Sequence, residues 1–355
     1  MPVPLFTPLT IRGITLRNRI GVSPMCQYSS IDGFATSWHL VHLGSRAVGG
    51  AALVMTESTA VAANGRISPS DLGIYDDAHC EQLEEITGFV RAQGAVPGIQ
   101  LGHAGRKAST MRPWEGRRAA TPEEGGWADV VAPSAIAFST TYPQPSALDA
   151  AGIVAVVNDF RIAAERAHRA GFQVAEIHAA HGYLLHQFMS PLSNERTDRY
   201  GGSFANRIRL TLETVAAVRG VWPDHLPLLV RVSCTDWVDR GWSIEETVEL
   251  ARQLDGLGVD VLDCSSGGNT ASPEIPVAPG YQVPFAERVR AEARIQTAAV
   301  GLITEPAQAN RIVAECQADI VLLGREELRD PYWPMHAARV LGADIDWPVQ
   351  YERAR

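Results

Sequence analysis

Short apolar runs alternate with longer amphipathic stretches along almost the whole chain. Eight of these runs are nearly continuous in apolar residues and end at polar or glycine positions, a pattern typical of strands buried on both faces. The predicted strands cover 19–22, 51–57, 96–101, 174–177, 226–232, 259–264, 297–303 and 320–323. Between them, helical periodicity predicts helices that include 37–47, 77–92, 159–170, 244–257 and 306–316. The chain is therefore predicted to be an α/β protein with a parallel sheet.

Eight successive strand and helix units predict a closed (β/α)8 barrel, the TIM-barrel fold. A doubly wound open sheet is the alternative, but no G-x-G-x-x-G motif follows the first strand. Ahead of that strand, 6–16 alternates around Gly13 and predicts a small N-terminal hairpin. The stretch 103–149 is rich in Pro, Gly, Ser and Trp and has little periodicity. We interpret it as a long, lid-like excursion after the third strand, within a single domain that spans 1–355.

Composition narrows the classes of protein that are possible. The 355 residues are 46% hydrophobic and 20% charged, which is typical of a globular protein with an ample core. A net charge of −9 argues against nucleic acid as a partner. No apolar run is long enough to span a membrane and no signal-peptide pattern opens the chain, so we expect a cytoplasmic protein with no membrane partner. The cysteines are odd in number and widely spaced, which predicts neither disulfides nor a zinc or iron–sulfur site.

Candidate chemistry is richest after the fourth predicted strand. In a barrel, the active face is formed at the carboxyl ends of the strands, and here those positions carry His178, His181 and Tyr183. Residues three apart point to opposite faces of a strand, so the two imidazoles share a site only if the strand ends near His178 and the chain turns. Gly182 supplies the freedom for that turn. The sequence predicts two imidazoles and a phenol crowded together.

The other strand ends carry donors rather than acids. They offer no cluster of carboxylates, which disfavours a glycosidase. A metal-dependent hydrolase that uses His178 and His181 stays open as an alternative, although no acidic third ligand stands at a neighbouring strand end. Arg231 has no obvious acidic partner in the sequence. The turns after the seventh and eighth strands frequently hold a phosphate in barrels, and Gly301 and the pair Gly324-Arg325 suit that role. A phosphorylated cofactor is therefore predicted.

Several long motifs carry a resemblance to a known family. They are S-P-M-C-Q-Y at 23–28, G-I-Q-L-G-H-A-G-R-K at 98–107, A-P-S-A-I at 132–136, H-A-A-H-G-Y-L at 178–184, S-N-E-R-T-D-R-Y-G-G-S at 193–203 and L-G-R at 323–325. With these motifs in this order, the chain resembles the Old Yellow Enzyme family of flavin-dependent ene-reductases, and within it the thermophilic-like bacterial branch.

This resemblance implies bound FMN that is reduced by NADPH or NADH and passes a hydride from its N5 to the β-carbon of an electron-poor alkene. By the family pattern, His178 and His181 hydrogen bond with the substrate's oxygen, and Tyr183 protonates the α-carbon. Cys26 is implied to tune the flavin, and Tyr28 to line the substrate pocket. The implied cofactor-binding residues are Ser23, Pro24, Met25, Cys26, Ser58, Gln100, Arg231, Ser266, Gln282, Gly301, Gly324 and Arg325.

The tail and two departures from the family pattern complete the expectations. The segment Q-Y-E-R at 350–353 resembles a tail that, in this branch, reaches the neighbouring subunit's active site. A homodimer or homotetramer is therefore expected, with Arg353 binding substrate across the interface. Relatives often carry alanine where Ser58 stands, and 114–129 is longer than in some of them. A non-catalytic flavin-binding module is the second alternative function.

Overall fold

The computed structural model describes residues 2–116 and 118–355. A short antiparallel hairpin, β1 (Leu9–Ile11) and β2 (Ile14–Leu16), precedes the main sheet and confirms the predicted hairpin. The strands that follow are β3 (Ile20–Val22), β4 (Leu53–Ala60), β5 (Val96–Gly102), β6 (Val131–Ala132), β7 (Ser146–Ala147), β8 (Val174–Ala179), β9 (Leu228–Ser233), β10 (Val261–Ser265), β11 (Gln296–Ala299) and β12 (Ile320–Leu323).

Eight of these strands close into a parallel barrel, in the order β3-β4-β5-β8-β9-β10-β11-β12 and back to β3. The predicted (β/α)8 barrel is therefore confirmed. Strands β6 and β7 form a separate two-stranded sheet. The helices are α1 (Ser37–Val48), α2 (Cys80–Ala92), α3 (Ala150–Arg169), α4 (Leu184–Met189), α5 (Phe204–Arg207), α6 (Arg209–Arg219), α7 (Ile244–Gly256), α8 (Val283–Ala293), α9 (Pro306–Ala314), α10 (Arg325–Arg329) and α11 (Trp333–Leu341).

Several element boundaries differ from prediction by a few residues, and two of the differences have identifiable reasons. Strand β4 continues to Ala60, beyond the apolar run, because polar side chains such as Thr56 and Thr59 are buried within it. Helix α3 begins at Ala150, nine residues before the predicted start, where the side chain of Asp149 accepts a hydrogen bond from Gly152 N and caps the helix. Hydrophobic pattern alone marks neither a buried polar strand end nor a capped first turn.

The excursion lies between β5, which ends at Gly102, and α3, which begins at Ala150. Its described residues, 103–116 and 118–149, contain the sheet of β6 and β7 and three 3-10 turns, which are Gly105–Lys107, Pro113–Glu115 and Pro122–Glu124. It leaves β5 at the carboxyl edge of the barrel, so it lies at the face where barrel active sites form. Over the described ranges, no helix is both long and apolar enough to cross a bilayer.

Candidate active site

The chain reverses direction directly after β8. Strand β8 ends at Ala179, and His181 and Gly182 then adopt positive φ angles of 58° and 70°. A Cβ at Gly182 would lie 2.2 Å from the carbonyl oxygen of Gly268, so only glycine fits there. The turn places the rings of His178 and His181 5.1 Å apart and the rings of His178 and Tyr183 4.9 Å apart. The structure therefore brings together the three side chains that the sequence singled out.

Hydrogen bonds to its backbone hold this turn on both sides. Ser233 Oγ accepts from His181 N at 2.9 Å, and Lys107 Nζ donates to His181 O at 2.9 Å. His186 Nδ1 accepts from Gly182 N at 2.9 Å. A non-glycine residue in the left-handed region costs conformational energy, and such a conformation persists only when its surroundings fix it. These contacts supply that constraint for His181.

A buried carboxylate stands behind His186. His186 Nε2 lies 3.1 Å from Asp236 Oδ1, and both side chains are fully buried. Asp236 Oδ2 accepts from Ser190 Oγ at 2.6 Å and from Trp242 N at 2.9 Å. Burial would raise the pKa of Asp236, but His186 and these hydrogen bonds lower it to about 2. Asp236 is therefore an anion that anchors His186, which in turn holds the active-site turn.

The two imidazoles form a chain of hydrogen-bonding atoms. Ala180 N donates to His178 Nδ1 at 3.3 Å, His178 Nε2 lies 3.4 Å from His181 Nδ1, and His181 Nε2 lies 2.7 Å from Ser265 Oγ. Burial, and then the positive charge of Arg231, lower the pKa of both imidazoles well below the usual value. Both rings are therefore neutral at ordinary pH and act as hydrogen-bond donors rather than as acids.

The loop after β3 carries Cys26 and Tyr28. Gln27 N donates to Glu57 Oε2 at 2.9 Å, and Tyr28 has a positive φ of 52°. Burial, followed by the charges of Asp71 and Glu57, raises the pKa of the Cys26 thiol well above its usual value. Hydrogen bonds with the Ser58 backbone and the Tyr28 side chain oppose this rise only in part. Cys26 is therefore present as a neutral thiol.

A cavity of about 170 Å³ lies against Tyr183. Tyr28 and Ile67 line it together with five residues of the excursion, which are Lys107, Thr110, Met111, Pro113 and Tyr142. Lys107 Nζ lies 5.4 Å from the centre of the Tyr183 ring. The Trp114 ring packs edge-on against Tyr28, with centroids 5.6 Å apart. The excursion thus supplies most of the lining of a small cavity that Tyr183 also lines.

A second cavity, of about 150 Å³, lies beside the turns after β11 and β12. Its lining includes Gln282, Gly301, Gly324 and Arg325. A Cβ on Gly324 would meet nothing closer than Met25 Sδ at 3.8 Å, so the bare glycine leaves open space. Gly301 has a φ of 124°, and a Cβ there would lie 2.9 Å from Gln282 Nε2. Backbone groups and the guanidinium of Arg325 around open space suit a phosphate group. The second guanidinium of the lining, that of Arg329, pairs with Glu326, which also lines the cavity.

Polar side chains line the barrel interior on the strands between these two cavities. Gln100 Nε2 donates to Glu176 Oε1 at 2.7 Å, so the amide oxygen of Gln100 points away from Glu176. Arg231 Nε lies 3.0 Å from Asp263 Oδ2, so the expectation that Arg231 has no acidic partner is wrong. Burial, and then the charge of Asp263, raise the pKa of Glu176. With Glu176 protonated, Asp263 offsets the charge of Arg231.

Several buried polar atoms in this interior lack a hydrogen-bond partner. Among the described residues they include Glu176 Oε2 and Asp263 Oδ1. Arg231 Nε and Asp263 Oδ2 also lack a well-aligned hydrogen bond, but they face each other in the ion pair at 3.0 Å. Unpaired buried polar atoms carry a desolvation cost, which a polar ligand or ordered water can offset. The interior therefore fits a cofactor with hydrogen-bonding edges as well as a phosphate.

The remaining predicted site residues fall in two places. Ser23, Pro24, Met25 and Ser58 lie on β4 or directly after β3, and Ser266 and Gln282 share a hydrogen bond of 2.6 Å beside β10. Arg353 is the exception, since it lies exposed in the C-terminal turn Val349–Ala354. Residues 346–348, just ahead of that turn, line a cavity together with Arg17 and residues 92–94. Arg17 and residues 92–94 each lie just before a barrel strand. The structure does not bring Arg353 to this chain's own site.

Sequence analysis assigned no role to four residues that support the site. Ser233 and Ser265 end their strands, but a lone serine at a strand end carries no specific signal. His186 lies five residues after His181, and the sequence places no acid near it because Asp236 is fifty residues further on. Lys107 ends a motif that was noted only as part of the family resemblance.

Fold and site together define a class of protein. A (β/α)8 barrel that combines a phosphate-type cavity after its last two strands with neutral imidazole donors and a phenol beside a second cavity is a cofactor-dependent barrel enzyme. Within the described ranges, no group of three or more His, Cys, Asp or Glu side chains could hold a metal ion.

Known proteins place the chain within this class. The model of the NADH:flavin oxidoreductase / NADH oxidase family matches residues 4–343. The chain is 47% identical over 351 residues to an NADPH dehydrogenase of Geobacillus thermodenitrificans (strain NG80-2), with 98% of each chain covered. The same identity, length and coverage relate it to an NADPH dehydrogenase of Bacillus subtilis (strain 168). Morphinone reductase in complex with tetrahydroNAD has a TM-score of 0.79 at 28% identity, covering 97% of this chain and 92% of that one.

The chain belongs to the NADH:flavin oxidoreductase / NADH oxidase family. Its membership confirms the resemblance to the Old Yellow Enzyme family, and with it an oxidoreductase that uses FMN and a reduced nicotinamide nucleotide.

Proposed function

We propose that the protein is an NAD(P)H-dependent ene-reductase that reduces activated C=C bonds, as in enones, maleimides and nitroalkenes. The observation that carries the proposal is the juxtaposition of two neutral imidazoles with the phenol of Tyr183 beside a small cavity. When bound, FMN supplies the hydride chemistry, taking a hydride from the nicotinamide and delivering one from N5 to the β-carbon of the alkene. The protein's own groups must then bind the substrate's oxygen and supply a proton.

His178 and His181 bind the carbonyl or nitro oxygen through N–H groups. Negative charge grows on that oxygen as hydride arrives at the β-carbon, and fixed donors in a buried site stabilise such charge more than water does. Neutral imidazoles suit this role because each ring can donate a hydrogen bond without first taking up a proton. Tyr183 then gives its phenolic proton to the α-carbon, as a general acid on the cavity side of the substrate.

The cofactor would be held by the residues that the fold gathers around the two polar regions. Arg325 and the bare backbone at Gly301 and Gly324 suit its phosphate. Gln100, through its amide oxygen, and Arg231, through its guanidinium, would bind the hydrogen-bonding edge of the ring system. Because Asp263 offsets the charge of Arg231, this edge would meet an ion pair rather than an isolated cation. The rest of the predicted set would line the pocket: Ser23, Pro24, Met25, Cys26, Ser58, Ser266 and Gln282.

The two half-reactions test the proposal in one cuvette. We expect the flavin absorption bands of the purified protein to bleach with NADPH under anaerobic conditions and to return on addition of 2-cyclohexenone. Bands that bleach but do not return with the enone, with a maleimide or with a nitroalkene would contradict alkene reduction and would favour a non-catalytic flavin-binding module. No observation on the described residues favours the metal-dependent hydrolase.

We also propose that Arg353 binds substrate in the site of a partner copy, in a homodimer or homotetramer. Two facts support this: the tail resembles that of the family branch, and Arg353 lies exposed and away from this chain's own cavity.

Mixed dimers test whether Arg353 acts in the partner's site. We expect Arg353→Ala and Tyr183→Phe dimers each to be impaired, and co-expressed mixed dimers to regain activity. In the mixture, one site combines an intact Tyr183 with the arginine of the other chain. Activity no higher than the average of the two parent dimers would contradict the shared site.

A further inference from the structure

The hydrogen bonds around His178 fix where its proton resides. Ala180 N can only donate, so His178 Nδ1, which receives that bond at 3.3 Å, must be the unprotonated nitrogen. In the neutral ring, the proton then resides on Nε2. That nitrogen faces His181 Nδ1 at 3.4 Å. His178 therefore presents a donor toward the space that the two imidazoles share.

The proton of His181 can lie on Nδ1 or on Nε2, and the direction of the hydrogen bond between His181 and Ser265 decides which. If His181 carries its proton on Nε2, it donates to Ser265 Oγ, and its Nδ1 accepts from His178. The two rings then satisfy each other and offer the substrate no free N–H. If Ser265 Oγ instead donates to His181 Nε2, the proton of His181 lies on Nδ1. Both imidazoles then present N–H groups to the same space.

The surroundings of Ser265 favour the second arrangement. Its hydroxyl proton has two acceptors within reach, His181 Nε2 at 2.7 Å and Gln282 Oε1 at 3.5 Å. Ser266 Oγ already donates to Gln282 Oε1 at 2.6 Å. If His181 Nε2 were the donor, the hydroxyl proton of Ser265 would be left with Gln282 Oε1, which lies at the 3.5 Å limit of a hydrogen bond and already accepts from Ser266. His181 Nε2, at 2.7 Å, receives no other bond in the described structure, so the hydroxyl proton of Ser265 is directed to it.

We propose that Ser265 is a positioning residue for alkene reduction: its hydroxyl donates to His181 Nε2 and thereby keeps the proton of His181 on Nδ1, beside Nε2–H of His178. Two donors 3.4 Å apart can both reach one oxygen, because hydrogen bonds of about 2.9 Å on each side close that triangle. Without such an oxygen the two N–H groups face each other, so the pair is preorganised for the ligand that it binds. This inference rests on the proposed function, and it adds the group that prepares one of the two donors.

Phenol is the probe, since its oxygen can take the place of a substrate's carbonyl oxygen and its binding needs no turnover. We expect Ser265→Ala to weaken phenol binding to the oxidised holoenzyme about ten- to a hundred-fold, the value of one hydrogen bond to a charged or polarised oxygen. Ser265→Cys, which is nearly isosteric and keeps a weak S–H donor, is expected to fall between the alanine variant and the wild type.

Imidazole NMR separates a tautomer effect from a loss of structure. In holoenzyme with ¹⁵N-labelled histidine and bound phenol, we expect His181 to show a protonated Nδ1 in the wild type. We expect a protonated Nε2, or an average of both forms, in Ser265→Ala. Ser233→Ala is the matched control, because Ser233 Oγ contacts the backbone N of His181 and not its ring. We expect this control to leave the nitrogen pattern of His181 unchanged, whatever it does to affinity.

The outcomes are distinguishable. A protonated Nε2 on His181 in the wild-type phenol complex would overturn the proposal. So would an unchanged nitrogen pattern in both Ser265 variants, or a changed pattern with unchanged phenol affinity. His178→Ala tests the proposed function separately, since it removes a donor that does not depend on Ser265. Unchanged phenol affinity in that variant would contradict oxygen binding by the imidazole pair itself.

Discussion

Replacing Tyr183 with phenylalanine is expected to slow reoxidation of the reduced flavin by an enone about 10²- to 10⁴-fold, the usual contribution of a general acid. Reduction of the flavin by NADPH is expected to stay nearly unchanged, because that half-reaction needs no proton from Tyr183. Phenylalanine keeps the ring that lies 4.9 Å from the His178 ring and removes only the hydroxyl. Anaerobic stopped-flow absorbance measures the two half-reactions separately.

Tyr28 provides a matched comparison, since its phenol lines the same cavity. Tyr28→Phe removes the same chemical group from the same space and is expected to slow reoxidation much less than Tyr183→Phe. A larger loss in Tyr28→Phe would transfer the proton-donor role to Tyr28. Equal losses in both half-reactions of Tyr183→Phe would instead indicate a damaged cofactor site and would contradict the assigned role.

The neutral state of the site groups explains why hydrogen-bond geometry matters so much here. Burial lowers the pKa of both imidazoles and raises the pKa of the Cys26 thiol, so all three remain uncharged. Asp263 offsets Arg231 within the barrel. Charge that develops on a substrate's oxygen would therefore be stabilised mainly by the directed N–H groups of His178 and His181. Such stabilisation depends on donor position, and hence on whatever fixes the tautomer and the turn.

The barrel could be predicted from the sequence because each of its strands has a continuous apolar run. Where the strand interior is polar, the same reasoning failed. The run that predicts β4 stops at Glu57, yet the strand continues to Ala60 because Thr59 is buried beside β5. A hydrophobic pattern predicts strand residues whose side chains are buried among apolar neighbours. It does not mark the strand residues of this barrel whose buried side chains are polar.

The candidate site was predictable where neighbours in sequence are also neighbours in space. His178, His181 and Tyr183 come together because one turn joins them, and Gly182 signalled that turn. The pairing of Arg231 with Asp263 was missed because it depends on the register of β9 against β10, which aligns these two residues across 32 positions of sequence. Local pattern carries no information on register between strands that a helix separates.

The buried contact between Asp236 and His186 is the feature whose loss is expected to destabilise the protein most. We expect Asp236→Ala to lower the free energy of unfolding by about 3–5 kcal/mol, because the buried donors on His186, Ser190 and Trp242 lose their acceptor, at a cost of about 1–3 kcal/mol each. The variant leaves Ser190 Oγ and Trp242 N without their acceptor in a dry environment. Equilibrium urea unfolding with saturating FMN, followed by circular dichroism, measures the change.

Two further variants serve as comparisons for Asp236→Ala. Glu165→Ala removes an exposed helix pair with Arg161 and is expected to change the free energy of unfolding by less than about 0.5 kcal/mol. Asp236→Asn keeps one acceptor and should fall between the two. Because His186 holds the backbone of Gly182, Asp236→Asn is also expected to weaken phenol binding, although Asp236 lies behind the site. A stability loss with unchanged phenol affinity would show that the turn keeps its position without this anchor, and would reduce Asp236 to a residue of the core.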